Sequence, residues 1–374
     1  MKRPARILVV DDEPGMVRAV ERVLSGLHEV VGSHSSTEAL AIARQFDPDL
    51  VILDVRMPEI DGFELMARMK AAHPGVDIIV MTGSLDDLDQ KLIRAIRGRA
   101  FYFIQKPFDR EVLQTLVERC IELRWRRLES RHHVDRLERE LADARAFQQG
   151  LLPLPEMVID DLAVSCRYES CAELGGDLCD YVSLGSGRVA LLMADVMGHG
   201  VSAAMLTGVV KSAFRASNPD GYEPRAMVHR LWNNMDAFGS ERFVTLIAAV
   251  VSLNERRVDY VNAGHPSGLL FSKGGGVSLL ASSGPLVSPA FPGCTWEQRS
   301  VSFEPGDLLF LYTDGVSDAL AGQDDLGDEA LAQMIQRQAN RDGALLDSVL
   351  AGVRERFGGR PQPDDLTLLT AAMR

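Results

Sequence analysis

The sequence has few cysteines, no long apolar run and no excess of positive charge. Five cysteines among 374 residues is an odd number without a C-x-x-C pair. We therefore predict reduced, mostly buried thiols, with a zinc site as the minor alternative. The longest apolar runs fall short of the roughly 18 residues of a membrane span. Ile7–Val10 is too short for the core of a signal peptide, so we expect a cytoplasmic protein.

The charge balance narrows the choice of partners. The formal net charge is -13 and the isoelectric point is about 5.1. An acidic chain repels nucleic acid and anionic membranes, so we expect neither as a main partner. The length and the 46% hydrophobic content suit two ordinary globular domains.

Residues 1–120 alternate short apolar runs with segments of helical spacing, such as 16–27 and 38–45. The apolar runs are ILVV (7–10), EVV (29–31), LVIL (50–53), DIIVM (77–81) and FYFI (101–104). Continuous apolar runs are typical of strands buried on both faces. The pattern predicts a doubly wound, flavodoxin-like α/β domain with five parallel strands, which binds ligands beyond the carboxyl ends of its strands.

Polar residues follow these predicted strands where a ligand is expected: Asp11, Asp12, Asp54, Thr82 and Lys106. Clustered carboxylates repel one another unless a cation lies among them, and oxygen ligands suit Mg²⁺. Asp54 can act as a nucleophile that forms an acyl phosphate. Lys106 and Thr82 would then stabilise the phosphoryl oxygens. The alternative for each residue alone is a helix cap or an ordinary loop.

The segments LVVDDEP, LVILDVRMPEIDGFEL, VMTGS and FIQKPF resemble the receiver domain of two-component response regulators. The resemblance covers residues 1–120 from end to end. It implies that Asp54 is the phosphoacceptor and that a histidine kinase or phosphotransfer protein is the partner. It also implies that Asp11, Asp12, Asp54 and the carbonyl of Arg56 hold Mg²⁺, and that Thr82 and Phe103 form the switch pair.

A long helical segment connects the two halves, and we place the linker at 121–150. Apolar residues recur at steps of three and four: Leu113, Leu116, Cys120, Leu123, Val134, Leu137, Leu141 and Ala144. The register slips near 129–133, which predicts a broken helix, and Leu152-Pro153 should end it. The two short seams predict a coiled-coil homodimer. The alternative is a single helix packed on its own domains.

Residues 151–374 change to alternating strands with inserted helices near 200–217, 224–238, 328–340 and 343–356. This arrangement predicts an α+β layered domain with mostly antiparallel sheets. Four aspartates stand at the ends of apolar strands: Asp177, Asp195, Asp314 and Asp364. Turn chemistry could explain each one singly. Together they indicate an all-oxygen site for Mg²⁺ or Mn²⁺, where two ions could bridge a hydroxide and hold a phosphate.

This half resembles the PP2C class of phosphatases, in the branch of the SpoIIE and RsbU regulators. The segments are FQQGLLP, GGDLCD, ADVMGHGVSAAM, NAGHPSGLLF, SGPLV, LLFLYTDGVSDA and PDDLT. The resemblance implies two Mn²⁺ or Mg²⁺ ions that activate water against phosphoserine or phosphothreonine. Asp177, Asp195 and the carbonyl of Val196 would hold one ion. Asp195, as the bridge, would hold the other with Asp314 and Asp364.

Two histidines remain open at this stage. His199 is either a proton donor or a loop residue near the substrate, and His265 is either structural or lines the site.

The sequence as a whole predicts a response regulator in which phosphorylation of Asp54 controls a serine/threonine phosphatase. By the same resemblance, the substrate would be a phosphorylated anti-sigma-factor antagonist. The alternative is a non-enzymatic adaptor that binds a sigma factor or its regulator.

Overall fold

The computed structural model describes residues 3–83, 100–216, 222–321, 327–337 and 344–374. The chain divides into two compact units, residues 1–136 and 137–374. None of the helices in the described ranges combines the length and hydropathy of a membrane span.

The first unit contains one parallel sheet with the strand order β2-β1-β3-β4-β5. Its strands are β1 Arg6–Val10, β2 Glu29–Ser33, β3 Leu50–Asp54, β4 Asp77–Thr82 and β5 Tyr102–Gln105. Its helices before the linker are α1 Pro14–Leu24, α2 Ser36–Phe46 and α3 Gly62–Ala72. Every residue of β3 and β4 is buried. The predicted five-stranded α/β fold is therefore confirmed.

Local chemistry fixes the ends of the helices near the sheet edge. Pro14 stands in the first turn of α1, where its missing N–H costs nothing. The side chain of Asp61 accepts a hydrogen bond from the N–H of Phe63 and so caps α3. A Cβ on Gly62 would collide with the carbonyl oxygen of Asp54. Glycine therefore lets α3 begin directly against the end of β3.

The connecting helix α4 runs without interruption from Arg110 to Leu151, a length of 42 residues. The predicted break near 129–133 is wrong, because one slip in side-chain register does not disrupt backbone hydrogen bonding. The predicted end just before Leu152-Pro153 is confirmed. In the first unit, Leu113, Val117 and Cys120 are buried on the sheet. The predicted domain limits at 120 and 150 stay a prediction, since α4 crosses both.

The second unit contains two antiparallel sheets with the orders β14-β11-β10-β9-β8 and β13-β12-β15-β16-β7-β6. Its first strands are β6 Glu156–Ile159, β7 Leu162–Glu169, β8 Asp177–Gly185, β9 Arg188–Val196, β10 Val244–Ser252 and β11 Arg257–Ala263. The others are β12 Gly268–Phe271, β13 Val277–Leu280, β14 Arg299–Ser302, β15 Leu308–Tyr312 and β16 Leu366–Met373. The predicted antiparallel architecture is confirmed.

Helices cover both outer faces of this sandwich. They are α5 Val201–Arg215, α6 Pro224–Met235, a 3₁₀ turn Asp236–Phe238, α7 Asp314–Leu320, α8 Gly327–Arg337 and α9 Ala344–Phe357. Side chains of both sheets meet in the central core, for example Leu191 and Leu309. α5 and α6 pack on the β9–β10 face, and α7–α9 pack on the β15–β16 face. The sequence did not predict α7, whose seven residues are too few to show a helical period.

A disulfide joins Cys166 on β7 to Cys179 on β8 within the central core. The prediction of reduced thiols is wrong for this pair, and it holds for Cys120, Cys171 and Cys294. The two bonded cysteines lie in different sheets. The inner faces of the two sheets pack together and bring the sulfur atoms into contact. Spacing along the chain does not reveal such a contact.

Candidate functional sites

The carboxyl ends of β1, β3 and β4 and the segment after β5 meet at one edge of the parallel sheet. Lys106 Nζ lies 2.6 Å from Asp11 Oδ2 and 2.6 Å from Asp54 Oδ1. Both aspartates are buried, as is Thr82 at the end of β4. The strand order places the predicted residues together because β1, β3, β4 and β5 are successive neighbours.

Backbone groups orient these two carboxylates. The N–H of Arg56 donates to Asp54 Oδ2 at 2.8 Å, and the N–H of Glu13 donates to Asp11 Oδ1 at 3.0 Å. Burial raises the pKa of Asp54, and the charge of Asp11 adds to the rise, whereas Lys106 opposes it. A positioned carboxylate with a neighbouring ammonium suits transfer of a phosphoryl group.

The other predicted receiver residues lie around this pair. Asp12 and Arg56 are exposed and line one open cleft, together with Asp61 and Phe63. Phe103 is half-buried and packs against the hydrophobic core between the sheet and α2–α3. The donor chemistry of two buried carboxylates beside the exposed Asp12 suits a hard cation such as Mg²⁺.

In the second unit, the four predicted aspartates lie at neighbouring strand ends. Asp177 begins β8 and is the direct cross-strand partner of Asp195 on β9. Asp314 begins α7 just after β15, and Asp364 lies just before β16, the strand that pairs with β15. A Cβ on Gly315 would collide with the carbonyl oxygen of Asp365. The start of α7 therefore packs directly against the segment that carries Asp364.

Burial and the charges of nearby carboxylates raise the pKa values in this group of aspartates. Burial raises the pKa of Asp195 to about 7, and the charges of Asp314, Asp364 and Asp365 add to the rise. Burial also raises the pKa values of Asp314 and Asp364. Among the described residues, no lysine or arginine forms an ion pair with any of the four predicted ligands. This part of the unit has an uncompensated negative charge that a cation would neutralise.

Asp177 is the most deeply placed of the four. Thr313 and Thr367 both donate their hydroxyl hydrogen to Asp177 Oδ2, at 2.7 and 2.5 Å. Burial raises its pKa well above the usual value, the charges of Asp195 and Asp365 contribute, and the two threonines oppose the rise. The threonines therefore fix one carboxylate oxygen and hold its orientation.

The donor set fits Mn²⁺ or Mg²⁺ in chemistry, although the ligand assignment stays a prediction. Within the described ranges, no three acidic, histidine or cysteine side chains are arranged so that they could hold one metal ion as they stand. The carbonyl of Val196 lies against Gly176, where a Cβ would come within 2.5 Å of it. This carbonyl is therefore beside the turn that presents Asp177.

Asp365, which was not predicted as a site residue, is more buried than its neighbour Asp364. Asp365 Oδ1 accepts from the N–H of Cys171 at 2.8 Å, and Oδ2 accepts from the N–H of Gly176 at 2.6 Å. It therefore holds the turn before Asp177 in place. Two adjacent aspartates before a strand gave no signal as to which one points inward.

The two histidines differ in placement. His265 is buried, its Nδ1 lies 2.9 Å from Thr245 Oγ1, and burial lowers its pKa to about 3. Thr245 pairs in register with Asp195. His199 is exposed and lies close enough to Asp364 to oppose the rise in the pKa of that carboxyl. These positions suit a structural role for His265 and a place beside the site for His199.

Comparison with known families agrees with this architecture. Residues 185–374 match the family model of stage II sporulation protein E (SpoIIE), and residues 7–118 match that of the response regulator receiver domain. A phosphoserine phosphatase of Bacillus subtilis, RsbP, is 32% identical over 191 residues, which is 49% of this chain and 46% of that protein.

The Escherichia coli transcriptional regulatory protein GlrR is 34% identical over 123 residues, which is 32% of this chain and 27% of that protein. The chain thus spans less than half the length of these curated relatives. Among solved structures, the SiaA PP2C domain of Pseudomonas aeruginosa aligns with a TM-score of 0.56 and 21% identity. That alignment covers 65% of this chain and 98% of the other. This likeness shows the fold of the second unit.

The fold and the family matches define a receiver domain fused to a SpoIIE-type domain that has the fold of a PP2C domain. Since the SpoIIE model covers half of the chain, the protein belongs to the SpoIIE family, and it carries a response regulator receiver domain at residues 7–118.

Proposed function

We propose that this protein is a metal-dependent protein serine/threonine phosphatase whose activity is controlled by phosphorylation of Asp54. The observation that carries the proposal is the placement of four aspartates at neighbouring strand ends of a SpoIIE-type sandwich, where burial and nearby carboxylates raise their pKa values. Carboxylates with pKa values raised by burial and by neighbouring charge are typical of functional sites.

Asp177, Asp195 and the carbonyl of Val196 would hold one Mn²⁺ or Mg²⁺ ion, and Asp195, Asp314 and Asp364 would hold the second. Bound metal would supply an activated water as the nucleophile and a clamp for the phosphate of phosphoserine or phosphothreonine. Thr313 and Thr367 orient Asp177 through its Oδ2. Asp365 holds the preceding turn by accepting the N–H of Gly176.

The receiver would provide the input. A carboxylate oxygen of Asp54 would bond to the phosphorus of a phosphohistidine on a histidine kinase or phosphotransfer protein, and the P–N bond would break. Mg²⁺ held by Asp11, Asp12, Asp54 and the carbonyl of Arg56 would offset the added charge. Lys106 already lies 2.6 Å from Asp54 and can follow the phosphoryl oxygens. Thr82 and Phe103 would then move as the switch pair.

The helix α4 would carry the output as part of a homodimer. Val134 and Leu137 are 49% and 47% exposed on α4, and a second copy would cover them in a coiled-coil seam. Replacing both with serine should shift the sedimentation coefficient from dimer to monomer. Replacing the exposed Glu138 and Glu140 with serine is the matched control. A monomeric wild-type chain would contradict this part of the proposal.

The substrate class follows from the family resemblance: a phosphorylated anti-sigma-factor antagonist. The test is phosphate release from such a protein with Mn²⁺, with and without beryllofluoride on the receiver. We expect turnover that changes with beryllofluoride and that Asp314→Ala abolishes. Absence of turnover, or turnover unaffected by Asp314→Ala, would refute the phosphatase.

A non-enzymatic adaptor is the second candidate, and the retained set of four aspartates argues against it. Calorimetry distinguishes the phosphatase from the adaptor, because an adaptor without a functional metal site should bind no Mn²⁺ in the second unit. Asp314→Ala serves as the reference for a site that has lost a ligand.

A further inference from the structure

The last turn of α4 contains one deeply buried polar side chain, Gln148. It is 6% exposed, whereas the preceding Phe147 is 72% exposed and the following Gln149 is also exposed. Burial of a glutamine amide is unfavourable unless both its donor and its acceptor are paired. The partners of Gln148 therefore show why it points inward.

Both polar atoms of Gln148 bind one residue, Gly175. Gln148 Nε2 donates to the carbonyl oxygen of Gly175 at 2.7 Å. The N–H of Gly175 donates to Gln148 Oε1 at 3.2 Å. A side chain that pairs with both backbone groups of a single residue fixes the orientation of the peptide units on either side. Within the described ranges, the backbone of Gly175 makes these hydrogen bonds and no others.

Gly175 lies two residues before Asp177, in a turn that is held on every side. The N–H of Gly176 donates to Asp365 Oδ2 at 2.6 Å, and its carbonyl accepts from the N–H of Val196 at 3.1 Å. The carbonyl of Leu174 accepts from the N–H of Gly200 at 2.9 Å. A Cβ on Gly175 would collide with Asp365 and with the hydroxyl of Tyr168. The turn is tightly packed and hydrogen-bonded at successive residues, so a movement of Gly175 would displace Asp177.

The end of α4 is itself anchored near the same strand. Lys211 on α5 donates to the carbonyl of Leu151, the last residue of α4, and lies 2.9 Å from Asp180 Oδ2 on β8. Asp180 is fully buried and also binds Arg215. The final turn of α4 is therefore fixed to β8 at one point and to the turn before β8 at another.

We propose that Gln148 is a positioning residue that sets the place of the metal-ligand turn Leu174–Asp177 from the end of α4. This inference rests on the proposed phosphatase function. It adds that the affinity of the site for metal depends on a residue outside the sandwich, on the helix that continues into the receiver. Residues that orient a metal ligand from outside the first coordination shell change affinity or activity by about 10–100-fold.

The test compares three variants of the full chain by Mn²⁺ calorimetry and by hydrolysis of p-nitrophenyl phosphate across a Mn²⁺ titration. Gln148→Met keeps the length and bulk of the side chain but removes both hydrogen bonds. Gln148→Glu keeps the acceptor for the N–H of Gly175 and removes the donor. Gln149→Met is the matched control, since it makes the same replacement one position along on the exposed side of the helix.

We expect Gln148→Met to raise the Mn²⁺ concentration for half-maximal activity by about tenfold or more. The rate at saturating Mn²⁺ should fall much less. Gln148→Glu should shift the titration in the same direction, because a carboxylate oxygen would then face the carbonyl oxygen of Gly175. Gln149→Met should match wild type. A purely structural role would lower the melting temperature without shifting the Mn²⁺ titration of the folded protein.

Two outcomes would overturn the inference: an unchanged Mn²⁺ titration in Gln148→Met, or an equal shift in Gln149→Met. If Gln148→Met does not fold, the Gln148→Glu titration decides in the same way. A wild-type chain that neither binds Mn²⁺ nor hydrolyses the ester would instead refute the proposed function. The two failures are therefore distinguishable.

Discussion

The two acidic sites differ in how their negative charge is balanced. In the receiver, Lys106 Nζ lies 2.6 Å from a carboxylate oxygen of each of Asp11 and Asp54. In the phosphatase domain, Asp177, Asp195, Asp314 and Asp364 have no lysine or arginine partner among the described residues. The first site contains a lysine as its own cation, whereas the second, under the proposed function, would take its cations from solution.

This difference fits two kinds of phosphate chemistry. A site that must accept and then lose a covalent phosphoryl group benefits from a fixed ammonium that neutralises the transferred oxygens. A site that must turn water into a nucleophile benefits from metal ions, which lower the pKa of bound water as an ammonium cannot. Carboxylates at strand ends are therefore common to both sites, and the kind of neighbouring cation would distinguish their proposed roles.

The largest effect should come from removing the cation of the receiver. Lys106→Met leaves Asp11 and Asp54 buried without their partner, and breaking a buried pair costs about 3–5 kcal/mol. We expect faster hydrogen exchange at the amides of β1 and β3 in the full chain without Mg²⁺. Arg18→Met, at an exposed position on α1, is the control. Unchanged protection would mean that Lys106 does not balance these charges.

The next effect concerns Asp195, the proposed bridging ligand of the second site. Asp195→Asn keeps the shape of the side chain and removes the charge that both metal ions would share. We expect kcat/KM for p-nitrophenyl phosphate to fall by more than about 100-fold, since changes outside the first shell alone cost about 10–100-fold. Asp161→Asn makes the same replacement at an exposed turn and should have no effect. Equal activity in the two variants would remove Asp195 from the site.

Topology makes it easier to predict from the sequence which residues meet in the receiver than which meet in the second unit. In a parallel sheet all strands end at one edge, so residues that follow strands must meet there. Asp11, Asp54, Thr82 and Lys106 are therefore predictable from strand positions alone. In an antiparallel sandwich, strand ends alternate, and only the pairing register shows that Asp177 faces Asp195. The grouping of these aspartates into two metal sites therefore came from the family motifs and not from the periodicity of the strands.

The contacts that support the ligands were beyond prediction from periodicity or spacing. Asp365, Thr313 and Thr367 act on the turn or side chain of Asp177 from more than 130 positions away along the chain. Gln148 and the Cys166–Cys179 pair likewise depend on which surfaces face each other in three dimensions. A polar or small residue of this kind carries no periodic signal, and its partner lies in a different element.

The smallest expected effect is the change in stability caused by Asp195→Asn. It separates the two sites most clearly, because its sign should depend on whether metal is bound. Asp195 is buried beside Asp314, Asp364 and Asp365, which raises its pKa to about 7. In the metal-free protein, Asp195→Asn should relieve this repulsion and raise stability by about 1–2 kcal/mol, or a few degrees in Tm. With Mn²⁺ at about 100 times its Kd, the wild type gains about 2.7 kcal/mol and becomes the more stable of the two.

The receiver gives a weaker expectation for the same replacement. Burial raises the pKa of Asp54 as well, but Lys106 opposes the rise, so Asp54→Asn should stabilise the metal-free receiver less than Asp195→Asn stabilises the second unit. Thermal unfolding of both variants in chelator and in Mn²⁺ measures the contrast. A metal-free Asp195→Asn variant that is less stable than wild type would mean that the phosphatase carboxylates are balanced from within the fold. The distinction between the two sites would then fail.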